Sequence, residues 1–170
     1  VGKGFLEAFL KMVKEELKHD FQYDINSSHV ENKDVYLGNN EISEDGTSTG
    51  GKIDILLHDD KKHAIIIENK FDRYGNPAQE QPKQLERYYN HGNDDKKYED
   101  FILIYLTPSG QYASKDSTGS NAITYYPVSY DLSDNKPNIL SWLAECLNIS
   151  KGCPRIHEVI KQYITYIKNT

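Results

Sequence analysis

Phe5, Leu6, Phe9, Leu10, Val13 and Leu17 fall on one helical stripe, so residues 3–19 are expected to form an amphipathic helix. "DVYLGNNEI" then reads as a short strand, and "SEDGTSTGG" (43–51) as a flexible loop. "KIDILLH" and "HAIIIENKF" are apolar runs separated by the polar "DDKK", which predicts a β-hairpin. "NPAQEQPKQLERYYNHG" predicts a helix with Pro82 in its first turn and His91-Gly92 as its stop. "FILIYLTPSG" is a buried strand, "QYASKDSTGSN" a long loop, and "AITYYPVSY" a further strand that Pro127 assigns to an edge or a bulge. "NILSWLAECLN" and "PRIHEVIKQYITYIKN" are the closing helices, the second opened by Pro154. No internal repeat or linker interrupts this order. It predicts one domain over 1–170, a mixed α/β sandwich with helices covering a small central sheet.

One stretch breaks the hydrophobic pattern. In "AIIIENK" (64–70), alternation puts Ala64, Ile66, Glu68 and Lys70 on one face, and Ile65, Ile67 and Asn69 on the other. Both faces begin apolar, as in a strand covered on both sides. Glu68 and Lys70 are expected to emerge where that cover ends. Asp54 stands as far before Lys61 as Glu68 stands after it. A hairpin loop with an odd number of residues centred on Lys61 would set the two acids opposite one another, about 4.5–5.5 Å apart at Cβ. An even loop would turn Asp54 to the wrong face.

Two carboxylates so placed repel each other, and Lys70 neutralises only one. A hard divalent cation would neutralise the rest. Mg2+, with Mn2+ as substitute, takes one or two carboxylates and keeps several waters, one of which can serve as nucleophile. Lys70 could orient that water or balance charge at a phosphorus under attack. The plain alternative is a solvated ion pair at a strand end, contributing about 0.2–1 kcal/mol to the sheet.

Composition narrows these options. The net charge of −6 argues against a broadly basic nucleic-acid-binding surface, but Lys52, Lys70, Arg73, Lys83 and Arg87 leave a local one near the motif. The two cysteines, Cys146 and Cys153, have no CxxC spacing and read as buried thiols in the cytoplasm. No apolar run reaches the roughly 20 residues of a membrane span. The first residues are too charged for a signal peptide, and without an initiating Met the chain is expected to lack N-terminal residues. The thirteen tyrosines are expected mainly as amphipathic surface packing. His58 and His63 read as solvated turn residues, "HEVIKQ" lacks the second His of a zinc helix, and "TSTGGK" lacks phosphate-loop spacing.

The string "GGKIDILL…AIIIENKF…QLERYY…ILIYLTPSG" resembles the PD-(D/E)XK nuclease superfamily, in its bacterial branch, most strongly over about residues 50–110. The resemblance implies a restriction-endonuclease-like core and a metal-dependent nuclease acting on nucleic acid, DNA rather than RNA. It places Asp54 and Glu68 as metal ligands, with the Asn69 carbonyl as a third, and Lys70 as the catalytic lysine. Gln84 and Tyr88 match a Q-x-x-x-Y helix motif, although their i, i+4 spacing would equally suit simple helix packing. Glu7 or Glu41 would supply a further glutamate, and Lys52, Arg73 and Arg87 are the candidates for substrate phosphate. The rival readings are a catalytically inactive binding or regulatory module on the same fold, and a purely structural α/β domain.

Overall fold

The structure, a computed structural model, describes residues 1–14, 17, 19–31, 35–37, 50–70, 79–94, 96–119, 122–130 and 138–169. The first helix, α1 (Gly2–Lys14), buries Phe9 and Val13 from the expected stripe. The short strands β1 (His29–Val30) and β2 (Val35–Leu37) follow. The run "KIDILLH" is not one strand. It is β3 (Gly51–Ile53) and β4 (Ile55–His58), broken at Asp54. β3 pairs antiparallel with β2 in a small separate sheet, whereas β4 joins the main one.

The main sheet has five strands in the order β1-β4-β5-β6-β7, with β5 (His63–Asn69), β6 (Asp100–Thr107) and β7 (Tyr126–Ser129). The β1–β4 and β4–β5 pairs are antiparallel, and β5–β6 and β6–β7 are parallel. In the β4–β5 hairpin Ile55 faces Ile67 and His58 faces Ala64, so the turn is centred on Lys61 as the odd-loop register requires. Asp59 fixes this turn. Its carboxylate accepts the N–H groups of Lys61 at 3.0 Å and His63 at 2.8 Å, and that of Asp24 at 2.7 Å. His63 and His58 are likewise paired with Asp59 and Glu31, more tied down than solvated turn histidines.

β5 is buried on both faces, and its alternation divides the core. Ile65 and Ile67 pack with Phe9, Val13, Ile139 and Leu143, under α1 and α4 (Ile139–Ile149). Ala64 and Ile66 pack with Ile53, Leu56, Leu85 and Tyr88, under α2 (Gln84–Gly92). Full burial of each isoleucine contributes about 1.5–3 kcal/mol, which makes β5 a rigid mount for whatever follows it. Pro127 lies in β7, the edge strand, paired with β6 on one side.

Several expected boundaries move. The helix predicted from residue 76 begins at Gln84. Pro82 precedes it, and Lys83 at its N-cap adopts a left-handed φ of 54°; residues 71–78 lie outside the described set. Gly92 is still helical, and a Cβ there would collide with the Phe101 ring, so close packing against β6 is what requires glycine. The expected loop 111–121 contains α3 (Lys115–Thr118), capped by Ser114, whose side chain accepts the Ser117 N–H. α5 (Pro154–Lys168) completes the chain. Cys146 is buried, its thiol pushed up to about 11 by that burial, whereas Cys153 is only half-buried. Tyr88 and Tyr105 are core residues rather than surface packing.

Candidate active site

Four apolar residues carry β5 through the core, and at its end the strand delivers Glu68 and Lys70 to the side covered by α2. They do not emerge into solvent: Glu68 is 2% exposed and Lys70 5%. Their charges meet directly, Lys70 Nζ lying 2.8 Å from Glu68 Oε1. Gln84, at the start of α2, spans both. Its Oε1 accepts from Lys70 Nζ at 2.5 Å, and its Nε2 donates to Glu68 Oε1 at 2.8 Å. The same Nε2 reaches the Tyr88 hydroxyl at 3.0 Å, and that hydroxyl donates to the Lys52 carbonyl at 2.6 Å. The i, i+4 pair is therefore a polar rivet between α2, β5 and β3, beyond simple helix packing.

Asp54 lies where β3 and β4 part. Extending the hairpin register sets it level with Glu68, and its Oδ2 accepts the Asn69 N–H at 2.8 Å. The carboxylate thus takes the ladder position that Ile53 leaves when it turns to pair with Val35. Asn69 directs its side chain to the opposite face, where Oδ1 accepts from the Tyr130 hydroxyl at 3.0 Å.

Charge is unbalanced in this nest. Burial pushes the Glu68 carboxyl up to about 7, with Asp54 adding to the rise against the pull of Lys70. Burial likewise raises Tyr88, and the Glu68 charge reinforces it. Glu68 Oε1 has two donors, but Oε2 is buried without a hydrogen-bond partner among the described residues. A buried carboxylate oxygen with no donor calls for an explanation, and a cation is one. Among the described residues no group of three or more His, Cys, Asp or Glu side chains could hold a metal. Two carboxylates with backbone and water oxygens fit the habits of Mg2+ better than those of zinc.

The remaining candidates separate. Lys52 is exposed beside the rivet. Arg87 is half-buried and folds back, its Nη1 donating to the Pro82 carbonyl at 2.5 Å and its Nη2 to Gln81 Oε1 at 3.3 Å. Glu7 is exposed on α1, whose buried face packs on the side of the sheet away from α2. Glu41 and Arg73 lie outside the described residues. The motif spacing did not reveal two further participants. The Gln79 carbonyl accepts from Lys70 Nζ at 3.3 Å, and the carboxylate of Glu80 accepts from the Tyr105 hydroxyl and the Ser114 N–H. Tyr105 carried a faint signal as the one polar-tipped residue within "FILIYL", and it pairs in register with Glu68. Glu80 carried none.

No curated protein and no solved structure matches the chain. A family model described as PD-(D/E)XK nuclease superfamily matches residues 1–165. With that match, and with the five-stranded mixed sheet set between helices in a restriction-endonuclease-like fold, the chain belongs to the PD-(D/E)XK nuclease superfamily.

Proposed function

We propose that this chain is a divalent-metal-dependent phosphodiesterase acting on nucleic acid, with DNA as its substrate. The observation that carries the reading is Glu68 Oε2, a buried oxygen without a donor among the described residues, on a carboxylate raised by burial and by Asp54. Asp54 and Glu68, with the Asn69 carbonyl, are the residues that would hold Mg2+ or Mn2+. The ion would supply a bound water acidic enough to act as nucleophile near neutral pH.

The chain's own residues do the rest. Asp54 is held by the Asn69 N–H, and Glu68 by Gln84 and Lys70, so both carboxylates are fixed before any ligand arrives. Lys70 brings a positive charge to the same place, suited to offset charge developing on a phosphoryl oxygen or to steer the attacking water. Gln84 acts through Lys70 and Glu68 by holding both. Lys52, exposed beside the Tyr88 hydroxyl, would take backbone phosphate beyond the reacting centre. Arg87 would reach phosphate only by releasing Pro82 and Gln81.

The test uses linear duplex DNA with Mg2+ or Mn2+ and an EDTA control. Asp54→Asn, Glu68→Gln and Lys70→Ala should each abolish metal-dependent cleavage while circular dichroism keeps the wild-type profile. Full activity in all three would sink the assignment. A wild-type chain that binds Mn2+ and DNA but cuts neither DNA nor RNA would instead be a binding module on this fold.

A further inference from the structure

Lys70 is buried among protein acceptors, and two of them lie outside its own strand. An ammonium has three N–H donors, and here they meet Glu68 Oε1 at 2.8 Å, Gln84 Oε1 at 2.5 Å and the Gln79 carbonyl at 3.3 Å. Residues 79–84 are thus a collar around the lysine. The backbone of the collar is not regular: Lys83 has a positive φ, and Gln84 opens α2 without a side-chain cap from Lys83. Something outside the collar must hold its shape.

α3 and β6 hold it. The Glu80 carboxylate accepts the Ser114 N–H at 3.2 Å on Oε1 and 3.0 Å on Oε2, and Oε1 also accepts from the Tyr105 hydroxyl. At the other end of the collar the Lys83 N–H donates to the Asp116 carbonyl at 2.7 Å. α3 itself lies close to α2, since a Cβ at Gly119 would collide with the Glu86 carboxylate. Residues 114–119, part of a stretch that reads as a loop by composition, are therefore the buttress of the site.

Glu80 is itself anionic and close enough to Lys70 to feel its charge, as a further metal ligand would be. Both of its oxygens are already engaged by donors. Burial would raise its carboxyl, but the bonds from Ser114 and Tyr105, helped by the Lys70 charge, hold it below the ordinary value. One Ser114 N–H is shared between the two oxygens and the Tyr105 hydroxyl takes Oε1, so the carboxylate is turned toward α3 and β6 as a structural anchor. Glu68, whose Oε2 has no donor among the described residues, is the contrasting case.

We propose that Glu80, fastened by Tyr105 and Ser114, is a positioning residue that sets the collar 79–84 around the Lys70 ammonium and so fixes where that charge meets the substrate phosphate. The positioning is a property of the folded chain, and its use in cleavage rests on the phosphodiesterase reading above. Two readouts separate them. The first is the Lys70 ammonium signal in nitrogen-15 NMR of the full chain, labelled on lysine and assigned with Lys70→Arg. Buried and triply bonded, it should exchange slowly with water near neutral pH. Glu80→Ala should speed that exchange by about tenfold, the effect of losing roughly one hydrogen bond's worth of order. Glu80→Gln should restore most of the protection, because its amide oxygen still accepts from Tyr105. Tyr105→Phe removes a single bond and serves if Glu80→Ala fails to fold.

The second readout is kinetic. Glu80→Ala should lower kcat on duplex DNA by about 10- to 100-fold, as loss of an outer supporting contact does, with KM and calorimetric Mn2+ affinity unchanged. An unchanged Lys70 signal in Glu80→Ala and Tyr105→Phe overturns the proposal whatever the nuclease assay gives. A changed signal with unchanged kcat overturns its catalytic part. If Lys70 exchange depends on Glu80 while the wild-type chain cleaves nothing, the collar stands and the phosphodiesterase reading falls.

Discussion

Replacing Glu68 with Gln should make the metal-free protein more stable while removing its response to metal. Glu68 is buried, and its carboxyl rises from an ordinary 4.5 to about 7. A folded-state value above the unfolded one means that the native chain holds a proton the unfolded chain releases. Stability attached to this group is therefore complete below about 4.5, declines as pH rises toward about 7, and is flat beyond that. At about 1.4 kcal/mol per pKa unit, the ionised carboxylate destabilises the native state by about 3 kcal/mol in this window. The figure already includes the attraction of Lys70, which is among the causes opposing the rise.

The amide introduced by Glu68→Gln would imitate the protonated acid. Its oxygen can still accept from Lys70 and Gln84, and the lysine keeps Gln84 and Gln79 as further acceptors. Some of the gain would be lost because an amide is a weaker partner for an ammonium. The expected increase is thus about 1–3 kcal/mol at pH 8 in EDTA, or about 2–4 °C in Tm per kcal/mol for a chain of this length. Denaturant melts of both proteins from pH 5 to pH 8.5 measure it. The wild type should lose stability over that range and the variant should not. With saturating Mn2+ the order should reverse, because only the wild type gains the linkage term of a native-state ligand. A variant less stable than wild type in EDTA at pH 8, or one with the same pH slope, would refute the reasoning.

Two other substitutions probe how the site is held. Asp54→Asn keeps an oxygen for the Asn69 N–H and should change metal-free stability by less than about 1 kcal/mol, whereas Asp54→Ala leaves that N–H unpaired and should be destabilised by about 1–3 kcal/mol. Equal effects in urea melts would mean that the Asp54 carboxylate does not anchor the strand. Gly92→Ala should be destabilised by about 1–3 kcal/mol through overpacking against Phe101, with no change in Mn2+ affinity by calorimetry, because α2 would be pushed off β6 at its far end from Gln84.

Much of this arrangement was legible in the residues. The two-faced apolar run of β5, the hairpin centred on Lys61 and the edge placement of Pro127 follow from period-two patterning and proline chemistry, and each is found. Burial of the charged end was not legible. Alternation says which face Glu68 takes, but only the packing of α2, through Leu85 and Tyr88, decides that solvent is excluded there. The collar was invisible for a related reason. Glu80, Tyr105 and Ser114 lie far apart in sequence and are joined through a left-handed turn at Lys83 and a four-residue helix, α3. No periodicity reports either of those.

The break at Asp54 shows how local misfit and site geometry coincide. "KIDILLH" has the pattern of one continuous strand, and continuity would have kept Ile53 opposite Asn69 in the main sheet. Asp is a poor strand former because its short carboxylate competes for nearby backbone N–H groups. Here it does so, taking the Asn69 N–H and freeing Ile53 to turn toward Val35 and into the core beside Tyr88. The same turn leaves Asp54 exposed while Glu68 stays buried. The two acids thus share one level of the hairpin but differ in solvation. The buried one is fixed, raised by burial and, among the described residues, short of a donor. The exposed one lies at the side open to solvent. A regular hairpin would have given two equivalent carboxylates, whereas the bend gives one that is buried and one that is exposed. Deviations from local sequence rules tend to gather at functional sites, and in this chain the deviation itself creates the asymmetry that the proposed cation site would use.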